Sequence, residues 1–355
     1  MSAQFEQRKH DHLKHALDES NQAVAMHGFQ SIQLNHDSLP ELNLSDVSIE
    51  SQWLDETLAT PFFIAGMTAG HDQANALNAT LASCAESRGW LFGVGSQRRQ
   101  YEQNQYQDDS ILNIRAQYPK LKLISNFGIA QLIHAHQSGN FSKIISLIES
   151  ISAQAIAIHL NPLQEAIQTE GTPQYKGAAQ ALKDWIKECP VPVIVKETGS
   201  GMSRSTLAKI IPLDPFAIDV SGAGGTHWGR IEGKRAAANS VSARLGETFS
   251  NWGISTVESL AEAVQEVNNL GSDDFPELWA SGGVRSGLDA AKLFALGATR
   301  VGFAQPALKA ALQGTDALDV WMQTIEQELK VAMFCTGSAN LTELNLDKLK
   351  GVSDV

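Results

Sequence analysis

Short, almost uninterrupted apolar runs alternate along the chain with longer stretches in which apolar positions recur every three or four residues. The runs are PFFIAG (61–66), GWLFGVGS (89–96), KLKLISN (120–126), AIAIHL (155–160), VPVIVKE (191–197), FAIDVSG (216–222), ELWASGG (277–283) and TRVGFAQ (299–305). Apolar residues at successive positions mark strands buried on both faces, as in a parallel sheet. The stretches between them, such as TPQYKGAAQALKDWIKE and TVESLAEAVQEVNNLG, carry the helical period. Eight strand candidates with interleaved helices predict the α/β class and a (β/α)8 TIM barrel. An open doubly wound sheet satisfies the same pattern, because strand count alone does not prove closure.

Two segments fall outside this rhythm. Residues 1–60 precede the first run and are expected to form an N-terminal segment covering the barrel mouth, with 61–355 as the barrel. No linker rich in Pro or Ser divides the chain, so one domain is expected overall. Residues 226–254 form a long insert after the sixth strand, a length typical of lids and binding elements.

With 43% hydrophobic residues among 355, the chain has ample material for a core. Its 27 Lys and Arg against 39 Asp and Glu give a formal charge of −12. That balance argues against nucleic-acid binding, which needs cations over many phosphates. It still allows an anionic small substrate met by a local cationic cluster. Cys84, Cys189 and Cys335 have neither metal nor disulfide spacing, which fits a reducing compartment. The polar start MSAQFEQRKHDHLKH and the lack of an apolar run near 20 residues predict a cytoplasmic protein without membrane contact.

In such a barrel the C-terminal strand ends build the site. They deliver Gly66, Met67 and Thr68; Ser96, Gln97 and Arg98; Asn126; His159, Asn161, Gln164 and Glu165; Lys196 and Glu197; Ser221 and the glycines of SGAGGT, ending in Thr226; Gly282, Gly283 and Arg285; and Ala304 and Gln305. SGGVRSGLDAAKLFALGA, with VGFA beyond it, has the form of a phosphate cradle: two glycines expose backbone N–H groups and the next helix points its N-terminus at them. Arg285 could add a counter-charge, although the same glycines would also suit a plain tight turn. Lys196 closes a buried strand, where an ammonium needs a counter-charge, a polar ligand or a route to solvent. Glu165 is a single carboxylate, suited to Mg2+ shared with substrate phosphates or to a helix N-terminus. Gln164 cannot titrate and suits hydrogen bonding. RKHDHLKH, with Arg8 and Lys9, and GSQRR (95–99) could together clamp a diphosphate. The His134/His136 pair reads as helix surface, and Trp53, Trp90, Trp185 and Trp279 as core or rim.

Taken in order, RKHDHL, HDSLPEL, AGMTAG, GVGSQR, NFG, HLNPLQE with QTEG, VIVKETGSGMS, DVSGAGGTHW, ASGGVRSGLDAAKLFALGA and MFCTGSANLTEL resemble the type 2, flavin-dependent isopentenyl-diphosphate isomerases along nearly the whole chain. The resemblance implies a barrel that holds FMN, active when reduced, with Mg2+ bound alongside substrate and NADPH or another donor as reductant. It implies reversible interconversion of isopentenyl and dimethylallyl diphosphates in isoprenoid biosynthesis, by a homotetramer or homo-octamer. Carried over residue by residue, Arg8, Lys9, Ser96, Gln97 and Arg98 would hold the diphosphate. Gln164 and His159 would meet the hydrocarbon part, with reduced FMN as acid and base, and Glu165 would bind Mg2+. Gly66, Met67, Thr68, Ser96, Asn126, Lys196 and Thr226 would touch the flavin ring and ribityl chain, and Gly283, Val284, Arg285, Ala304 and Gln305 its phosphate. Thr169-Glu170-Gly171-Thr172, Ser200 and His227 depart from the family's usual residues. Two other readings stand beside this one. One is an FMN oxidase of 2-hydroxy acids, with His227 as base; the other is a non-catalytic flavoprotein.

Overall fold

The last strand of the sheet pairs with the first. In the computed structural model, which describes residues 2–67, 72–103, 109–271 and 275–350, eight parallel strands run β1 (Phe62–Ile64), β2 (Leu91–Gly93), β3 (Leu123–Gly128), β4 (Ala155–Leu160), β5 (Val193–Glu197), β6 (Ala217–Asp219), β7 (Glu277–Ala280) and β8 (Arg300–Phe303). Each pairs with the next, and β8 returns to β1 in the register Val301↔Phe62, which closes the barrel. Every strand falls on one of the eight apolar runs, β3 extending two residues past its run to Gly128, and the open-sheet alternative falls.

Strand alternation explains why the runs are apolar throughout. Phe62 and Ile64 face outward, where Phe62 packs 4.9 Å from Trp90 and 6.1 Å from Phe294. Phe63 faces inward, 5.0 Å from Trp279. Gly302 is level with Phe63, and a Cβ there would sit 2.2 Å from the Phe63 ring. The small residue of β8 thus makes room for the large one of β1.

The strand-start end of the barrel is sealed. A hairpin, Ser51–Trp53 with Glu56–Leu58, puts Trp53 5.8 Å from Trp279 and 5.7 Å from Phe216. Arg300, 1% exposed, stacks 5.3 Å from the Trp53 ring and donates to Ser51 Oγ and the Gln52 carbonyl. Burial lowers its pKa to about 10, opposed by Glu277. Nothing in the sequence pattern had marked Arg300. With this end plugged, access is left to the opposite end.

The N-terminal helix Ser2–Leu17 crosses that open end, and the chain behind it is stitched down. Ala23 N–H donates to the Gly225 carbonyl at 2.8 Å, and His227 N–H to that of Asn21 at 2.9 Å. Arg230 donates to the carbonyls of Ser20 and Gln22. The insert after β6 is not a loose loop. It forms helices Trp228–Arg235 and Val241–Thr248, which meet at a glycine pair: a Cβ on Gly233 would lie 2.6 Å from the Gly246 Cα.

Candidate functional site

A cavity of about 210 Å³ occupies the open end of the barrel. Of the residues singled out in the sequence, Arg8, Gly66, Met67, Ser96, Arg98, Asn126, His159, Gln164, Glu165, Lys196, Thr226, Gly283, Val284, Arg285, Ala304 and Gln305 all line it. Thr68 and the Lys9 side chain lie outside the described residues. Gln97 is placed differently: at 2% exposure it sits behind the wall, where its Oε1 accepts from Ser125 Oγ and the Asn126 N–H. Its side chain supports Asn126 instead of facing a ligand.

One wall is glycine backbone. Gly282 and Gly283 have φ of +97° and +76°, and a Cβ on Gly283 would meet the Gly224 carbonyl carbon at 2.7 Å. The loops after β6 and β7 approach this closely only because neither carries side chains there. Arg285 Nη1 donates to the carbonyls of Gly224 (3.1 Å) and Gly283 (2.7 Å), tying the loops together. The helix after β7, Gly287–Leu296, corrects one expectation. Its N-terminus is closed by its own capping box of Ser286 and Asp289, and the Gly287 N–H donates to Glu328 at 2.6 Å. Those N–H groups are spent, which leaves the glycine loop and the start of the next helix, Gln305–Ala311, as the exposed backbone of that wall.

The floor is polar. Asn126 Nδ2 donates to the Val94 carbonyl at 3.0 Å, and its Oδ1 meets His159 Nδ1 at 2.8 Å. Lys196 Nζ donates to the Glu197 carbonyl at 2.6 Å and reaches Ser221 Oγ at 3.4 Å. Beneath it Asp219, 1% exposed, accepts two contacts from Ser281 Oγ; burial raises its pKa, opposed by Lys196. Burial likewise pushes the Glu197 carboxyl up to about 7, against three backbone N–H groups of Thr198, Gly199 and Ser200.

The far wall concentrates cations. Arg8 is brought near Arg98 and Arg235, and its pKa is lowered by burial and then by Arg98. Glu170 lies 3.8 Å from Arg8 and 3.0 Å from Arg235. Glu165 Oε1 accepts from Asn161 Nδ2 at 3.1 Å and lies 4.0 Å from Arg98; Oε2 accepts from the Thr172 N–H. Gln164 Oε1 accepts from Asn161 at 3.0 Å, and its Nε2 donates to Glu232 at 2.9 Å. Among the described residues no group of three His, Cys, Asp or Glu forms a metal cage. Glu165 therefore suits only an ion that takes most of its oxygens from substrate and water, as Mg2+ does.

Sequence reasoning missed Glu232 and Arg235, which back this wall, and took His12 only as part of the basic cluster RKHDHLKH, whereas it lines the cavity and bonds Glu232. Glu232 sits in WGRIEGKR, inside the insert that its length alone marked as a lid or binding element. The pair Gly229 and Gly233, four apart, was the available signal of a closely packed helix. His227, the base candidate of the oxidase reading, is absent from the cavity lining. It is 1% exposed, accepts the Arg230 N–H at Nδ1 as a helix cap and donates from Nε2 to the Trp252 carbonyl.

The sequence profile of the FMN-dependent dehydrogenase family matches residues 166–351. Isopentenyl-diphosphate delta-isomerases are similar along the whole chain: that of Bdellovibrio bacteriovorus is 45% identical, covering 98% of both chains. That of Legionella pneumophila strain Lens is 47% identical, covering 96% of this chain and 97% of its own. That of Nostoc sp. is 38% identical over 97% and 95%. Solved structures similar in fold include a flavocytochrome b2 variant with sulfite bound (TM-score 0.69, 15% identity, 95% of this chain and 82% of the other) and an (S)-mandelate dehydrogenase variant (0.68, 15%, 98% of each). No helix among the described residues is long and apolar enough to cross a membrane. With relatives this similar over nearly its full length, the chain belongs to the isopentenyl-diphosphate delta-isomerase family, in its type 2 form built on the FMN-dependent dehydrogenase barrel.

Proposed function

We propose that this cavity interconverts isopentenyl and dimethylallyl diphosphates, with reduced FMN against the glycine wall and Mg2+ at Glu165. The observation that carries the reading is one cavity joining a glycine backbone wall to an arginine-bearing wall, with Glu165 the one carboxylate in its lining among the described residues. The glycine loops fit a phosphate tail, since a Cβ at Gly283 would close the approach. Gly66, also in the lining, packs closely on the next strand end: a Cβ there would meet the Val94 carbonyl at 2.3 Å and Asn126 Nδ2 at 2.6 Å, so only a glycine backbone is presented beside it.

Moving a double bond requires a proton added at one carbon and one removed from a neighbour. Reduced FMN, kept so by NADPH or another donor, would supply an acid–base group and an electron-rich ring able to stabilise positive charge. Met67, Ser96, Asn126, Lys196 and Thr226 hold its ring and ribityl chain in this reading, and Gly283, Val284, Arg285, Ala304 and Gln305 its phosphate. Arg8, Arg98 and Ser96 grip the diphosphate, helped by Lys9, and Glu165 anchors Mg2+ against it. Gln164 and His159 then orient the alkene, so that binding energy at the diphosphate serves the reacting carbons.

The test is the visible spectrum of the purified protein, before and during incubation with isopentenyl diphosphate, Mg2+ and reductant. The reading expects a flavin spectrum that substrate leaves unchanged while dimethylallyl diphosphate accumulates. Stoichiometric flavin reduction by substrate would instead mark an oxidoreductase. Apoprotein that takes up no FMN would end the proposal.

A further inference from the structure

Asn161 stands at the end of β4 and is 5% exposed. Every hydrogen-bonding atom of its carboxamide is engaged, and the partners fix its orientation. Glu165 can only accept, so the Asn161 NH2 faces it, at 3.1 Å. The second hydrogen of that NH2 goes to Gln164 Oε1 at 3.0 Å. The Asn161 carbonyl must then face Tyr175, whose hydroxyl donates to it at 3.0 Å and accepts the Asn161 backbone N–H at 3.3 Å. Gln164 is fixed from its other end as well, because Nε2 donates to the acceptor-only carboxylate of Glu232 at 2.9 Å. The hydrogen bonds therefore run in one direction: Tyr175 to Asn161, Asn161 to Gln164 and Glu165, Gln164 to Glu232. An amide reversed at either Asn161 or Gln164 would set acceptor against acceptor.

We propose that Asn161, held by Tyr175, is the positioning residue that sets which end of the Gln164 amide meets the substrate and ties that amide to the Glu165 carboxylate. The inference rests on the isomerase reading above. It adds that Gln164 and Glu165 form one oriented unit, so the anchoring of the diphosphate and the orientation of the alkene are mechanically linked. Tyr175 touches neither reacting atom and acts through Asn161.

The experiment compares wild type, Asn161→Asp, Asn161→Ala, Tyr175→Phe and the double variant Asn161→Ala/Tyr175→Phe, with kcat and KM for isopentenyl diphosphate at saturating Mg2+. Asn161→Asp keeps shape and the bond from Tyr175 but loses the NH2 donor. Asn161→Asp, which also sets a carboxylate against Glu165, and Asn161→Ala are each expected to lower kcat by about tenfold or more, the scale of one buried hydrogen bond. Tyr175→Phe is expected to lower kcat about threefold, with KM within about twofold, and to add nothing in the Asn161→Ala background. Asn161→Asp with kcat within about twofold of wild type would overturn the proposal, as would a Tyr175→Phe effect that persists undiminished when Asn161 is Ala. Should Asn161→Ala fail to fold, Asn161→Asp and Tyr175→Phe decide the matter alone. Wild-type protein that does not isomerise would refute the functional reading instead, which keeps the two failures distinct.

Discussion

Gln164 Nε2 donates to Glu232 Oε1 at 2.9 Å, joining the turn after β4 to the insert after β6. The same oxygen accepts from His12 Nε2 at 2.9 Å, on the N-terminal helix. Burial alone would raise the Glu232 pKa, but His12, Arg235 and Gln164 outweigh it and bring it to about 2 from an ordinary 4.5. One buried anion thus collects three segments distant in sequence around the candidate substrate end.

Glu232→Gln removes that charge and presents Gln164 with an amide in place of a carboxylate. We expect kcat to fall by about tenfold to a hundredfold, the range for a buried charge-assisted hydrogen bond. The pH dependence has a definite sign. A carboxyl depressed in the folded state contributes stability that is complete above pH 4.5 and is lost as pH falls toward 2. The melting temperature of Glu232→Gln should therefore fall less steeply than that of wild type across this window, as scanning calorimetry would show. Parallel curves would mean that Glu232 does not carry this linkage.

The eight strands were legible because burial on both faces makes each an apolar run, and their ends named most of the cavity lining. The insert was not. Its helices are held by the Gly233–Gly246 approach and by His227 capping the first of them, which are tertiary facts that composition does not encode. Glu232 and Arg235 lie in the same insert, and their role emerges only once the N-terminal helix brings His12 and Arg8 to them. Gln97 shows the converse: a polar residue beside Arg98 at a strand end that turns inward to hold Asn126.

Arg8→Ala should act on binding. The Arg8 guanidinium is buried near Arg98 and Arg235, with Glu170 and Glu232 already opposing their repulsion, and an anionic diphosphate would add a further counter-charge. KM for isopentenyl diphosphate is expected to rise by about tenfold to a hundredfold, with a smaller change in kcat. Steady-state kinetics at fixed Mg2+ checks this, and an unaltered KM would remove the N-terminal helix from the diphosphate clamp.

Glu165→Gln keeps a side chain of the same shape, able to accept from Asn161, but withdraws the carboxylate charge. Activity is expected to fall by about a hundredfold or more, with the remainder insensitive to added Mg2+. A Mg2+ titration superimposable on that of wild type would place the ion elsewhere.

Gly283→Ala probes the glycine wall. At φ +76° an alanine is strained, and its Cβ would press on the Gly224 backbone at 2.7 Å. We expect weaker FMN retention by about tenfold or more, measured by fluorescence titration of apoprotein, with the barrel still folded by circular dichroism. Unchanged FMN affinity would move the phosphate away from this loop.

The most direct test of the whole account is a nuclear magnetic resonance time course of isopentenyl diphosphate with Mg2+ and FMN-loaded protein, run oxidised and again after dithionite reduction. Conversion to dimethylallyl diphosphate only in the reduced sample, with no net consumption of reductant per turnover, is the predicted result. Equal conversion by oxidised protein, or none in either sample, would contradict it.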